Sequence, residues 1–146
     1  MDDSYIHFVY AQNLADTGKL FFNHANENGI GSTSILWVIL LSAGYKAGLS
    51  LNFMAKFMGI ASLIAVGVGL YILLRPIWHS AFALLGSFSV VLSGNMVWYA
   101  LSGMETVMFL ALGLLSLIAY HNRRWFWLGV TLGLMTLTRP EGLVLA

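Results

Sequence analysis

Two adjacent carboxylates, Asp2 and Asp3, follow Met1. A carboxylate just outside an apolar segment suits the work of a general base that takes a proton from an acceptor hydroxyl. The plain alternative is that the pair caps a helix, and the pair alone does not separate the two readings. Glu105, in Ser102-Gly103-Met104-Glu105-Thr106, and Arg139 with Glu141, in Thr138-Arg139-Pro140-Glu141-Gly142, are the other candidates. Each stands where an apolar run begins or ends. Each is therefore read either as a helix terminus or as an ionisable group near membrane depth, which is a functional candidate by default. Only about 14 apolar residues separate Arg124 from Arg139. That is about 21 Å of helix, so Arg139 is expected below the surface in a polar cavity. Lys56 opens the longest uncharged run, where its ammonium either snorkels to an interface or meets a lipid phosphate. His24 has no spaced partner, so no metal site is assigned and no cofactor is expected; the residues leave open whether a divalent metal assists.

The elements that must position these groups follow from the apolar pattern. Residues 2 to 18 read as a short helix, with Asp2, Asp3 or Ser4 as its cap and Gly18 at its end. Ile6, Val9, Tyr10 and Leu14 fall on one side and His7, Gln12, Asn13 and Asp16 mostly elsewhere, so this helix is expected on a membrane surface or packed against one. Residues 21–34 are rich in Asn, Gly and Ser and read as loop. The run from Ile35 to Gly48 is about 14 residues, or about 21 Å, short of a roughly 30 Å hydrocarbon core, and reads as an interfacial or re-entrant helix. Residues 1–50 thus form an extracytoplasmic loop with interfacial helices. Spanning helices are expected over 53–74, 80–101 (interrupted near Ser93-Gly94-Asn95), 104–120 and 125–138. Residues 143–146 open another apolar run, the start of a truncated helix.

Composition fixes the solvent these helices need. Hydrophobic residues make up 59% of the 146 positions and charged residues 9%, against roughly 45–50% and about 25% in a soluble domain. Seven basic and six acidic residues cannot coat a water-exposed surface, and a net charge of +1 supplies no polybasic patch for nucleic acid. Cysteine is absent, which excludes disulfides and thiolate metal sites. Trp78, Trp98, Tyr99, Trp125 and Trp127 lie near helix ends and read as interfacial residues. The fold class is therefore all-α: a multi-pass transmembrane helix bundle with an extracytoplasmic loop and interfacial helices, one membrane domain and a fragment at both ends.

Charge parity gives sidedness. If Ile35 to Gly48 does not cross, Arg75, Arg123 and Arg124 fall on one side, cytoplasmic by the positive-inside rule. Asp2, Asp3, Asp16, Glu27, Glu105 and Glu141 then lie together outside. Lys19, Lys46, Lys56 and Arg139 also fall outside, so the rule is obeyed by local clustering.

Asp2-Asp3-Ser4-Tyr5-Ile6, continuing through Phe8, Tyr10-Ala11 and Asn13-Leu14 to Gly18 and Phe22-Asn23, resembles the first extracytoplasmic loop of GT-C type glycosyltransferases. The likeness is greatest to bacterial lipid-linked sugar transferases such as the mycobacterial terminal arabinofuranosyltransferases. Gly31-Ser32-Thr33-Ser34-Ile35-Leu36-Trp37 resembles the end of that loop, with Ile35 where proline is common. The Glu105 and Arg139 motifs complete the order. The resemblance implies a membrane glycosyltransferase that moves a sugar from a polyprenyl-phosphate donor to a glycan, lipid or protein acceptor outside the cytoplasmic membrane of a bacterium. By it Asp2 and Asp3 supply the base, Glu105, Arg139 and Glu141 line the same cavity, and Lys56 meets the donor phosphate. The family carries a spanning helix before the aspartate pair and several after, so these residues are expected to be part of a longer enzyme. Two other classes compete. A transporter or channel fragment would place ionisable residues deep in its helices, and a non-catalytic scaffold would pack through small residues such as Gly67 and Gly69.

Overall fold

The computed structural model describes residues 2–22 and 33–144, without the side chains of Asp2 and Asp3. The described residues form seven α-helices and no strand: α1 (Asp2–Thr17), α2 (Ile35–Lys46), α3 (Leu51–Leu74), α4 (Ser80–Val91), α5 (Gly94–Leu101), α6 (Thr106–His121) and α7 (Trp125–Thr138), followed by a 3₁₀ segment, Pro140–Val144. Gly18 ends α1 at φ +74° and Gly48 follows α2 at φ +83°, backbone angles that favour glycine. The Ser50 hydroxyl accepts from the Phe53 amide and so caps α3.

Helix α3 is the axis of the molecule, packing against α2, α4, α5 and α6. Among the described residues it alone is long and apolar enough to cross a membrane, with a mean hydropathy of 2.3. The helix expected over 80–101 is two helices, α4 and α5, bent by 55° where Ser93 and Gly94 interrupt the run; only together do they reach spanning length. Helices α6 and α7, with 16 and 14 residues, extend about 24 and 21 Å, less than a roughly 30 Å core. The apolar run after Arg139 starts as a 3₁₀ segment, because Arg139 before Pro140 is extended (φ −149°, ψ 137°) and α7 cannot continue through it.

The small residues of α3 set the register of its neighbours. Gly86 of α4 lies beside Leu74 and Trp78, Gly67 beside Val91 of α4, and Gly59 beside Ala100 of α5. The bent pair therefore runs antiparallel to the whole of α3, from its C-terminal end to its N-terminal half. Helices α6 and α7 are likewise antiparallel: Gly113 meets Met135, and the Ser116 and Thr131 hydroxyls lie 2.9 Å apart. Glu105 and Arg139 consequently share one end of the molecule with the start of α3. The turns bearing Arg75 and the Arg123-Arg124 pair occupy the other.

Two clusters form the core. One joins Tyr10 and Ala11 of α1 to Trp37, Val38 and Leu41 of α2 and to Ala55 and Met58 of α3; the other joins Val66, Ala100, Val107 and Ala111. Between these contacts much apolar surface stays open. Ile60, Ile64, Val68 and Ile72 form an exposed stripe at four-residue spacing on α3, of whose most apolar window only 28% is buried. A core helix of a soluble protein would be mostly covered.

Candidate functional site

The site is built where the N-terminus of α6, the C-terminus of α7 and the first half of α1 converge. Arg139 Nε donates to Glu105 Oε1 at 2.8 Å, and Nη2 donates to Thr106 Oγ1 at 3.1 Å. Two edges of the guanidinium are thereby fixed. Nη1 has no hydrogen-bond partner among the described residues, and the side chain is 30% exposed. Among the described residues one cationic edge is thus left to take an anionic oxygen.

Across the carboxylate from Arg139 stands His7. Its Nε2 approaches Glu105 Oε2 at 3.3 Å, an ion-pair distance when the ring is protonated but without hydrogen-bond alignment. Glu105 Oε2 and the other ring nitrogen, His7 Nδ1, are buried polar atoms without a hydrogen bond among the described residues, and each such atom costs about 1–3 kcal/mol. Glu105 sits in the turn before α6. Burial works against its ionisation, but the His7 imidazole, its own backbone amide and the Arg139 guanidinium outweigh burial and hold the carboxyl at about 2. Glu105 is a fixed anion with one unsatisfied oxygen.

The floor of the site is the turn at Gly103. Its φ of +82° is a glycine conformation, and a Cβ there would come 3.3 Å from Ser4 Cβ and 3.8 Å from Ala55 Cβ. The fully buried Trp37 donates its Nε1–H to Gly103 O at 3.2 Å. Trp37, Gly103 and Ser4 thereby hold α1, α2 and the α6 entry together. Asp2 and Asp3 form the turn of α1 that leads into Ser4, and their side chains lie outside the described residues.

Of the residues singled out from sequence, Glu105 and Arg139 come together here. Glu141 lies exposed on the 3₁₀ segment and Lys56 lies exposed on α3; neither forms an ion pair with the Glu105 cluster among the described residues. Sequence reasoning set His7 apart from the packing side of α1. The structure corrects this: Ser4, His7, Tyr10 and Ala11 are the buried side, and Ile6 is exposed. The spacing of Ser4, His7 and Ala11 at i, i+3 and i+7 was the available signal. Trp37 and Thr106 appeared only as letters of a motif. His24 lies outside the described residues, among which no three His, Asp or Glu side chains come together as a metal site would require.

No family model, curated protein or solved structure matches this chain. The site has to be read from its own chemistry. It offers an anchored guanidinium with a free edge and a buried carboxylate and imidazole with unsatisfied atoms. The first turn of α1, with its two aspartates, leads into it. That set suits an anionic group beside a hydroxyl-bearing one.

Proposed function

We propose that this chain is part of a membrane glycosyltransferase of the GT-C type, moving a sugar from a polyprenyl-phosphate donor to an extracytoplasmic acceptor. One observation carries the reading: Glu105 and Arg139, from two of the motifs that resemble this family, are joined at 2.8 Å in a half-enclosed polar site that the aspartate-bearing helix leads into. In the reaction, one carboxylate of Asp2 or Asp3 takes the proton of the acceptor hydroxyl. The acceptor oxygen bonds to the anomeric carbon as the bond from that carbon to the lipid-phosphate oxygen breaks. Polyprenyl phosphate leaves with the electron pair, and the free edge of Arg139 takes up the charge developing on it. Glu105 is then a positioning residue that aims the guanidinium, and Lys56, exposed on α3, stands at the membrane face where a lipid headgroup approaches.

The membrane reading rests on the open apolar faces and the scarcity of charge. α3 is one crossing, the bent α4 and α5 a broken second, and α6 and α7 a shorter pair whose polar end opens to the outside in a multi-pass bundle. Arg75, Arg123 and Arg124 then face the cytoplasm, and α1 and α2 lie at the outer surface of what is, by the resemblance, a bacterial plasma membrane. The test is sugar transfer from a polyprenyl-phosphate sugar by the full-length protein carrying Asp2→Asn or Asp3→Asn. Loss of transfer at one position or both is expected; full transfer by both variants overturns the reading.

A further inference from the structure

The reaction above leaves His7 without a task. Its Nε2 lies 3.3 Å from Glu105 Oε2, and the carboxylate is held on its far side by Arg139. An anionic oxygen at that distance settles the tautomer of the neutral ring. With the proton on Nδ1, the Nε2 lone pair would face the anion, so the proton belongs on Nε2 and Nδ1 carries the lone pair. Nδ1 is closed off from solvent and has no hydrogen bond among the described residues. A proton that reaches it must come from a group of the chain. The imidazolium so formed would lie against the unsatisfied Oε2 of Glu105, the relation in which a carboxylate orients an imidazole and supports it as a base.

The register of α1 points to the group that supplies the proton. At 3.6 residues per turn, Asp3 stands one turn before His7 and about 40° from it around the helix axis. That position falls within the arc occupied by Ser4, His7 and Tyr10, which are buried. Asp2 stands about 140° from His7, on the side of the exposed Tyr5 and Ile6. Glu105 before α6 and Arg139 after α7 are the other charged groups of the cluster; Lys56 of α3 and Glu141 of the 3₁₀ segment form no ion pair with it among the described residues. Helix α2 has its charged residue, Lys46, in its last turn.

We propose that His7 is a positioning residue that makes Asp3, rather than Asp2, the base of the transfer reaction and takes the acceptor's proton on from it. The inference rests on the transferase reading above and adds which aspartate acts and where the proton goes. The acceptor hydroxyl gives its proton to the Asp3 carboxylate as its oxygen bonds to the anomeric carbon and the lipid phosphate leaves with the electron pair. The proton then passes from Asp3 to His7 Nδ1, which restores the carboxylate and leaves an imidazolium against Glu105. After the product departs, the proton returns by way of Asp3 to water.

The experiment measures sugar transfer by the full-length protein from a polyprenyl-phosphate sugar, with kcat, KM and their pH dependence taken for Asp2→Asn, Asp3→Asn, His7→Gln and His7→Ala. Asp3→Asn should impair transfer more than Asp2→Asn. The Gln amide keeps a donor for Glu105 but cannot take a proton, so His7→Gln should lower kcat about 10²-fold with KM unchanged. The parent's kcat should fall as acid protonates the ring, a component that His7→Gln lacks. A His7 that merely packs would let Gln recover what Ala loses. Recovery of the parent's kcat by His7→Gln overturns the inference, as does an Asp2→Asn protein more impaired than Asp3→Asn, and either result leaves the transferase reading standing. The ranking of the aspartate variants does not depend on how any His7 variant folds. Full transfer by both aspartate variants overturns the transferase reading and this inference with it.

Discussion

Arg139 Nε lies 2.8 Å from Glu105 Oε1 across 34 residues of chain that leave one end of the molecule along α6 and return along α7. Closing that hairpin with an ion pair makes its two motifs a single object. The consequences of disturbing that object and the packing around it are measurable.

Glu105→Ala should destabilise the protein by about 1–3 kcal/mol. The Arg139 guanidinium loses its anion but keeps partial access to water, so the cost falls below that of a fully enclosed pair. Glu105→Gln retains an acceptor for Nε and should cost less. Thermal unfolding of the purified protein in detergent checks the order; equal stability of Glu105→Ala and the parent would mean that the pair contributes nothing to the fold.

The same carboxyl sets an acid dependence. Its pKa is about 2 in the folded protein against 4.5 in the unfolded chain, so folding favours the ionised form. Its stabilising contribution is complete above about 4.5 and is lost as pH falls toward 2. The stability difference between the parent and Glu105→Gln should shrink as pH falls below about 4. A difference that instead widens on acidification contradicts the sign of the shift.

Gly59 and Gly67 separate close packing from tolerance. A Cβ on Gly59 would run into the Ala100 backbone carbonyl, which cannot move without parting α3 from α5, whereas on Gly67 it would meet the Val91 Cγ2 methyl at 2.9 Å, a side-chain end. Gly59→Ala should cost about 1–3 kcal/mol from overpacking. At Gly67 the gain in helix propensity of about 1 kcal/mol offsets a smaller clash. Midpoints of thermal unfolding should rank the parent and Gly67→Ala together and Gly59→Ala well below.

Trp37→Phe leaves the Gly103 carbonyl without its donor and opens a small void, a loss of about 1–3 kcal/mol. Because Gly103 also supports Ser4, the variant should expose α1 to limited proteolysis before the α3–α6 contact is lost. Simultaneous cleavage throughout the chain would show that Trp37 is ordinary core.

Ser116 and Thr131 couple α6 to α7, but each hydroxyl also reaches a carbonyl of its own helix, Leu112 O and Trp127 O, both at 2.9 Å. Each therefore keeps an alternative partner when the other is removed. A double-mutant cycle with Ser116→Ala and Thr131→Val should give a coupling below about 1 kcal/mol; a value above 2 would require a larger shared network.

The helical elements were legible from the chain because their stops are chemical. Gly18, Gly48, Arg75, Asn122 and Pro140 interrupt apolar runs, and Ser93-Gly94 marks the break between α4 and α5. The pairing of Glu105 with Arg139 was not legible as a distance. It depends on the antiparallel register of α6 and α7, which Gly113, Met135, Ser116 and Thr131 set through packing that no local pattern encodes. His7 was misread for a related reason: an apolar-face argument assigns a polar residue to solvent, but His7 packs against a carboxylate supplied from nearly a hundred residues away.

The ends at which Glu105 and Arg139 stand carry charges of their own. Glu105 precedes the N-terminus of α6, where unpaired amides concentrate partial positive charge, and Arg139 follows the C-terminus of α7, where unpaired carbonyls concentrate partial negative charge. Each side chain therefore complements the dipole of its own helix before it meets its partner. Exchanging the two residues, Glu105→Arg with Arg139→Glu, would restore the ion pair while setting both helix dipoles against it. The pair has a built-in polarity, and with it the direction in which this hairpin presents its cation.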